Sequence, residues 1–169
     1  MRLTTYTDYT LRVAIYLSLK FDSGDRVTID EIARAYAISH NHLTKIVHEM
    51  SMHGLIMTTR GRSGGLQLAR PPGKITIGEI VRWSEPDFVL VECHSSGKES
   101  SCNIYHACNL NNAFQLALDA FLKVLDKMTL ANATYSPQAV STLLGIPIEI
   151  QKSQAHKISK TASHKKAPA

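Results

Sequence analysis

All three cysteines of the chain fall within sixteen residues of one another, as Cys93, Cys102 and Cys108 in the spacing Cys-x8-Cys-x5-Cys. Buried structural thiols would be scattered over apolar faces, and disulfides need an even count and an oxidising compartment. Three thiols on one polar stretch, flanked by Glu92, His94, His106 and several Ser and Gly residues, instead match the ligand chemistry of a soft metal centre. Three is one short of the usual four-ligand set for zinc or an iron–sulfur cluster. The fourth ligand must come from elsewhere in the chain, from another subunit or from an exogenous molecule.

The charge is unevenly spread. Residues 1–82 carry eleven Lys/Arg against seven Asp/Glu, residues 83–151 carry three against seven, and residues 152–169 hold five lysines and no acid. The front half therefore suits a polyanion such as nucleic acid and the middle does not. The end, with almost no large apolar residue, is predicted to be a basic disordered tail over 146–169. No run approaches the roughly eighteen apolar residues of a membrane span, and Asp8 and Arg12 interrupt any signal-like N-terminus. A cytoplasmic protein with reduced thiols and no membrane partner is expected, associated with the nucleoid when bound to DNA.

What positions the cysteines is a mainly α chain with one small β-hairpin. Thr7–Lys20 has the apolar pattern of a long first helix. Thr28-Ile-Asp-Glu31 is a capping box that starts a second helix. The turn Tyr36-Ala37-Ile38 follows, and Ser39 or Asn41 caps a third helix with Leu43, Ile46, Val47 and Met50 inward. These are the proportions of a helix-turn-helix, whose second helix lies in the major groove with its first residues at the base edges. The candidate reading residues are Ser39, His40, Asn41, His42, Thr44 and Lys45, with Thr28 at the preceding helix start. Leu55–Thr59 and Leu66–Leu68 then read as a hairpin, about 55–70, closed by Arg60-Gly61-Arg62-Ser63-Gly64-Gly65. Placed directly after a helix-turn-helix, this is a wing. Arg60, Arg62, Ser63, Gly64 and Gly65 are the candidates for contact with phosphate or the minor groove.

A short helix over Ile77–Glu85 carries the chain's one tryptophan, Trp83, and closes a winged helix-turn-helix DNA-binding domain spanning 1–85. The cysteine loop follows over 86–108, then a region 109–145 with a long helix (about Asn111–Leu130) and a last helix starting at Ser136-Pro137. In the long helix Phe114, Leu118, Phe121, Leu125 and Met128 form one stripe, and Ala113, Leu116, Ala117, Ala120 and Val124 a second. A helix apolar on two sides needs cover from its own domain and from something else. A second copy is the economical choice, making this a dimerisation helix, and paired half-sites on DNA suit a two-fold dimer. No Ser/His/Asp or Cys/His arrangement lies in a glycine-rich elbow or pocket-forming segment, so an enzyme with an organic substrate is not expected. His40, His42, His48 and His53 fall on different helix faces and read as polar surface.

The stretches MRLTTYTDYTLRV, SHNHLTKIVHEMSMHGLI, RGRSGGLQLARPP and ITIGEIVRWSEPDFVLVEC, with the three cysteines, closely resemble the NsrR-type nitric-oxide-sensing repressors. These form a branch of a bacterial family of winged-helix iron–sulfur regulators that also includes IscR. The resemblance covers residues 1 to about 145. It implies a homodimer that represses by binding double-stranded operator DNA with its cluster intact and releases DNA when nitric oxide attacks the cluster, derepressing nitrosative-stress genes. It also implies Cys93, Cys102 and Cys108 as ligands and Asp8, reaching across from the partner subunit, as the fourth. Two departures from the IscR-like pattern are the longer first gap and Asn111 where those members carry histidine. Loss of that histidine favours the NsrR branch and a 4Fe–4S cluster with an oxygen ligand over a 2Fe–2S cluster with a histidine. His94, His106, Glu85 and Glu92 stand as alternatives to Asp8, whose other role is an i,i+4 pair with Arg12. A regulator of the same family responding to iron–sulfur status or redox, and a zinc-stabilised DNA-binding regulator, are the alternative functions.

Overall fold

The computed structural model describes residues 2–61, 63–94, 102–134 and 136–146. Arg62, the stretch 95–101 inside the cysteine loop and the predicted tail from 147 onward lie outside the described residues. Six α-helices and one two-stranded sheet are described: α1 (Thr5–Leu19), α2 (Ile29–Tyr36), α3 (His40–Met52), β1 (Ile56–Thr59), β2 (Gly65–Leu68), α4 (Ile77–Ser84), α5 (Leu110–Lys127) and α6 (Pro137–Leu143). The fold is mainly α with one hairpin, as the periodicity predicts.

Every described α-helix except α5 starts where a side chain satisfies an orphan backbone donor, whereas Asn109 ahead of α5 makes no such bond. Thr4 caps α1 by accepting from the Thr7 N–H at 3.2 Å. Thr28 and Glu31 form the full capping box of α2, Thr28 Oγ1 accepting from Glu31 N and the Glu31 carboxylate accepting from Thr28 N. Ser39, rather than Asn41, caps α3. Between α2 and α3 the chain reverses through Ala37 in the left-handed region at φ 53°, an uncommon conformation for a residue with a Cβ. The Ala37 N–H closes back on the Ala33 carbonyl and Ile38 is buried below it, so the turn is held from both sides.

The core is one cluster. Val13, Ala14 and Leu17 of α1, Ile32 of α2, Leu43, Ile46 and Met50 of α3, and Ile80 and Val81 of α4 are almost fully buried against one another. The hairpin adds Ile56, Leu66 and Leu68. Its register pairs Ile56 with Leu68 and Thr59 with Gly65.

The long helix is shorter than its apolar pattern predicts. It ends at Lys127, because the chain beyond is pulled out straight along the start of α4. Ile77 N donates to Met128 O at 2.8 Å, Leu130 N donates to Ile75 O at 2.8 Å, and Thr76 bridges Thr129. Leu130 is thereby buried in a separate 3-10 turn. Arg82 of α4 forks onto Asp126 and fastens α5 at that end. Ile146, predicted to begin the tail, is buried and donates its N–H to Ser141 O at 2.8 Å. Among the described residues no helix is long and apolar enough to cross a membrane.

Candidate nucleic-acid interface and metal centre

The reading face forms because α3 buries one side so completely. Leu43, Ile46, Val47 and Met50 point inward, which leaves Ser39, His40, Asn41, His42, Thr44 and Lys45 all exposed. Local hydrogen bonds hold several of them. Thr44 Oγ1 donates to His40 O at 2.9 Å, and His40 Nε2 lies 3.6 Å from Asp30 Oδ1 on α2. The ring of Tyr9 on α1 packs 6.1 Å from that of His42, joining the first helix to the reading helix. Thr28 is occupied by its own helix, its hydroxyl donating to Glu31 at 2.8 Å, and so it sets the start of α2.

The wing's sharp tip depends on glycine. A Cβ on Gly64 would lie 2.3 Å from Thr59 O, and one on Gly65 would lie 2.9 Å from Arg26 Cβ and 3.0 Å from Val27 O. The second contact exists because the strip ahead of α2 runs alongside the hairpin. Val27 and Leu66 exchange backbone hydrogen bonds of 3.0 and 2.8 Å, and Arg26 Nη1 donates to Ser63 O at 2.8 Å. Exposed Arg60 and Ser63 sit at this tip. Sequence reasoning missed Arg26, which lies 37 residues from its partner. Its only sequence signal is a basic residue just before the capping box.

The cysteine segment leaves from the end of α4. There Glu85 accepts from Thr4 N at 2.8 Å and Thr4 Oγ1 at 3.1 Å, so the start of α1 is tied to the start of this segment. Beside that tie, Tyr6 Oη, Trp83 Nε1 and Ser84 Oγ are buried without a protein hydrogen-bond partner among the described residues. Trp83 is stacked on His53, with ring centroids 4.6 Å apart and planes 17° apart. Cys93 lies in a 3-10 turn over Glu92–His94, and Cys108 follows a second over Tyr105–Ala107. Cys93 and Cys108 are half-buried and Cys102 is exposed. His94 Nε2 is 3.2 Å from Asn111 O on α5, and His94 Nδ1 is buried without a partner among the described residues.

Among the described residues no three Cys, His, Asp or Glu side chains converge on a metal-binding geometry. The donor set still fits an iron–sulfur cluster by its chemistry. Three thiols occur on one segment, two of them half-shielded from water, and such sites assemble together with their metal. Asp8 is half-buried on α1 and pairs with Arg12 at 2.8 Å, the i,i+4 arrangement that its spacing predicts. Arg12 in turn lies 5.8 Å over the rings of both Tyr9 and Tyr36. Burial pushes the Tyr36 phenol up to about 12 against the lowering pull of that guanidinium.

Behind the cysteines, α5 buries only Leu118. Leu110, Leu116 and Val124 are 61%, 69% and 66% exposed, and Phe114, Ala113, Ala117 and Ala120 are exposed beside them. Together these residues form an exposed apolar strip along one helix.

The chain matches the Rrf2 family, described as iron-dependent transcriptional regulators, over residues 3–135. It is 43% identical over 144 residues to the HTH-type transcriptional regulator NsrR of Bacillus licheniformis, covering 85% of this chain and 99% of that one. Against NsrR of Oceanobacillus iheyensis it is 44% identical over 146 residues, covering 86% and 98%. Among solved structures, the global cysteine regulator CymR of B. subtilis superposes with TM-score 0.62 at 26% identity, covering 80% of this chain and 98% of that one. T. potens IscR does so with TM-score 0.62 at 25% identity, covering 78% and 85%.

Proposed function

This chain belongs to the Rrf2 family of transcriptional regulators, and from that premise we propose that it is a homodimeric repressor that senses nitric oxide through an iron–sulfur cluster. It would act in the cytoplasm on nucleoid DNA. The observation that carries this reading is a linear arrangement. An exposed polar reading helix and a wing precede a segment holding every cysteine, and that segment leads into a helix with an uncovered apolar face.

In this reading α3 enters the major groove, with Asn41, His42 and Lys45 at the base edges and phosphates and His40 and Thr44 supporting them. The wing tip, with Arg60 and Arg62, meets the backbone or the minor groove. Two copies pair through α5, covering Leu116 and Val124, and so present two reading helices to two half-sites.

Cys93, Cys102 and Cys108 would hold the cluster, 4Fe–4S by preference, with Asp8 of the partner subunit as fourth ligand. When bound, the cluster supplies iron that nitric oxide can attack. A carboxylate is a harder and more labile ligand than thiolate, so the Asp8 side is the open one. Asp8 pairs with Arg12 through Oδ2, which leaves its Oδ1 as the oxygen for a ligand role. Because Tyr9 of the same helix packs on His42, a change in the tether at Asp8 reaches the reading helix through α1. That links the two sites by a coupling free energy.

The test is anaerobic purification with a visible spectrum and iron and sulfide counts per chain, before and after nitric oxide, alongside operator gel shifts. Alanine at any one of Cys93, Cys102 or Cys108 is expected to abolish the cluster and the nitric-oxide response while leaving a folded dimer. A variant that keeps its full iron complement removes that cysteine from the ligand set. A colourless zinc-loaded wild type overturns the cluster reading.

A further inference from the structure

We propose that Arg26 is a positioning residue for DNA binding, holding the wing tip in its docking pose from outside the hairpin. The inference rests on the reading of the hairpin as a DNA-contacting wing.

A two-stranded hairpin is marginal by itself, and its tip would swing about the last paired residues, Thr59 and Gly65. Here the strip before α2 supplies a partial third strand. Val27 pairs with Leu66 through two backbone hydrogen bonds, and Gln67 Nε2 reaches Gly24 O at 2.6 Å. These contacts hold the base of the wing. Among the described residues only Arg26 reaches past Gly65 to the tip, where Nη1 donates to the carbonyl of Ser63 at 2.8 Å. The planar guanidinium fixes direction as well as distance, which a lysine ammonium on its flexible stem does not. The glycine at 65 makes the approach possible, since any side chain there would strike the Arg26 Cβ.

A wing held before binding costs less to order on DNA. Loss of the Arg26 tie therefore weakens binding without removing a contact from the bound complex. A residue that itself touched phosphate would behave differently, because its loss removes a released counterion and lowers the salt slope by about one unit.

Arg26→Lys and Arg26→Met are compared with the unaltered dimer on a duplex that the protein selects from a random-sequence library. Expected for both is an affinity loss of about two- to tenfold, the span one hydrogen bond allows, with the salt slope unchanged. In the free protein, trypsin should cut the Arg60–Gly61 bond faster in both variants, read by mass spectrometry. A salt slope reduced by about one in Arg26→Met with rescue by Arg26→Lys overturns the proposal, as does an unchanged cleavage rate at Arg60–Gly61. Arg60→Ala is the companion control. If it leaves DNA affinity intact, the wing reading itself fails, and the cleavage rate still decides whether Arg26 restrains the tip.

Discussion

The two ends of this chain solve the problem of burial in opposite ways. Up to Val81 nearly every large apolar side chain is inside, and all but Leu130 and Ile146 of the main core cluster lie in that stretch. In α5, by contrast, Leu118 is the one buried residue and the apolar strip beside it faces outward. The head therefore carries its own core, whereas α5 leaves an apolar strip exposed in the single chain, the surface that the proposed dimer would cover. In a regulator this separation is useful. In the proposed mechanism the DNA-reading head would stay folded while the cysteine segment and α5 change ligands and contacts.

Substitutions in each region break or sharpen that contrast. The largest effect is expected from Leu43→Ala, which opens a hole in a fully buried site and should cost about 2–5 kcal/mol in urea unfolding of the whole head. A loss below about 1 kcal/mol would mean the head core is looser than its burial implies. Asn41→Ala lies two residues away on the same helix but exposed. It should leave unfolding unchanged within about 0.5 kcal/mol and relax discrimination at one operator base pair by about 1–3 kcal/mol in competition gel shifts. Intact operator preference would remove α3 as the reading helix. In the rear half, Leu116→Glu should leave chain stability similarly unchanged yet weaken self-association about tenfold or more in sedimentation equilibrium. If the variant remains as dimeric as the parent, the strip on α5 is covered by something other than a second copy.

How much of this was legible depended on the sequence distance between partners. Capping is local, so Thr28-x-x-Glu31 and Ser136-Pro137 mark helix starts that the structure reproduces. The wing was legible for the same reason, since its strands and glycines are neighbours. The end of α5 was not, because Met128 and Leu130 keep the helical apolar spacing while Ile75 and Ile77, more than fifty residues earlier, take their backbone hydrogen bonds. The Arg26–Ser63 and Thr4–Glu85 ties span 37 and 81 residues and leave no periodic trace. For the proposed metal centre the thiols were evident from their clustering, but spacing does not encode how ligands gather around a metal. Asp8 illustrates the ambiguity. One carboxylate in the first turn of α1 fits both a pair with Arg12 and the proposed ligand role, and the described chain displays the first.

Trp83 stands at the seam between these two regions, lying at the end of α4 with its face on His53 just past α3. Because the chain has no other tryptophan, its fluorescence comes from one address. An indole stacked on an imidazole, with its N–H shielded from water, emits differently from one that has slipped free. The molecule thus carries a built-in optical probe for the joint where a signal from the cysteines would enter the reading head, readable in real time and without a label.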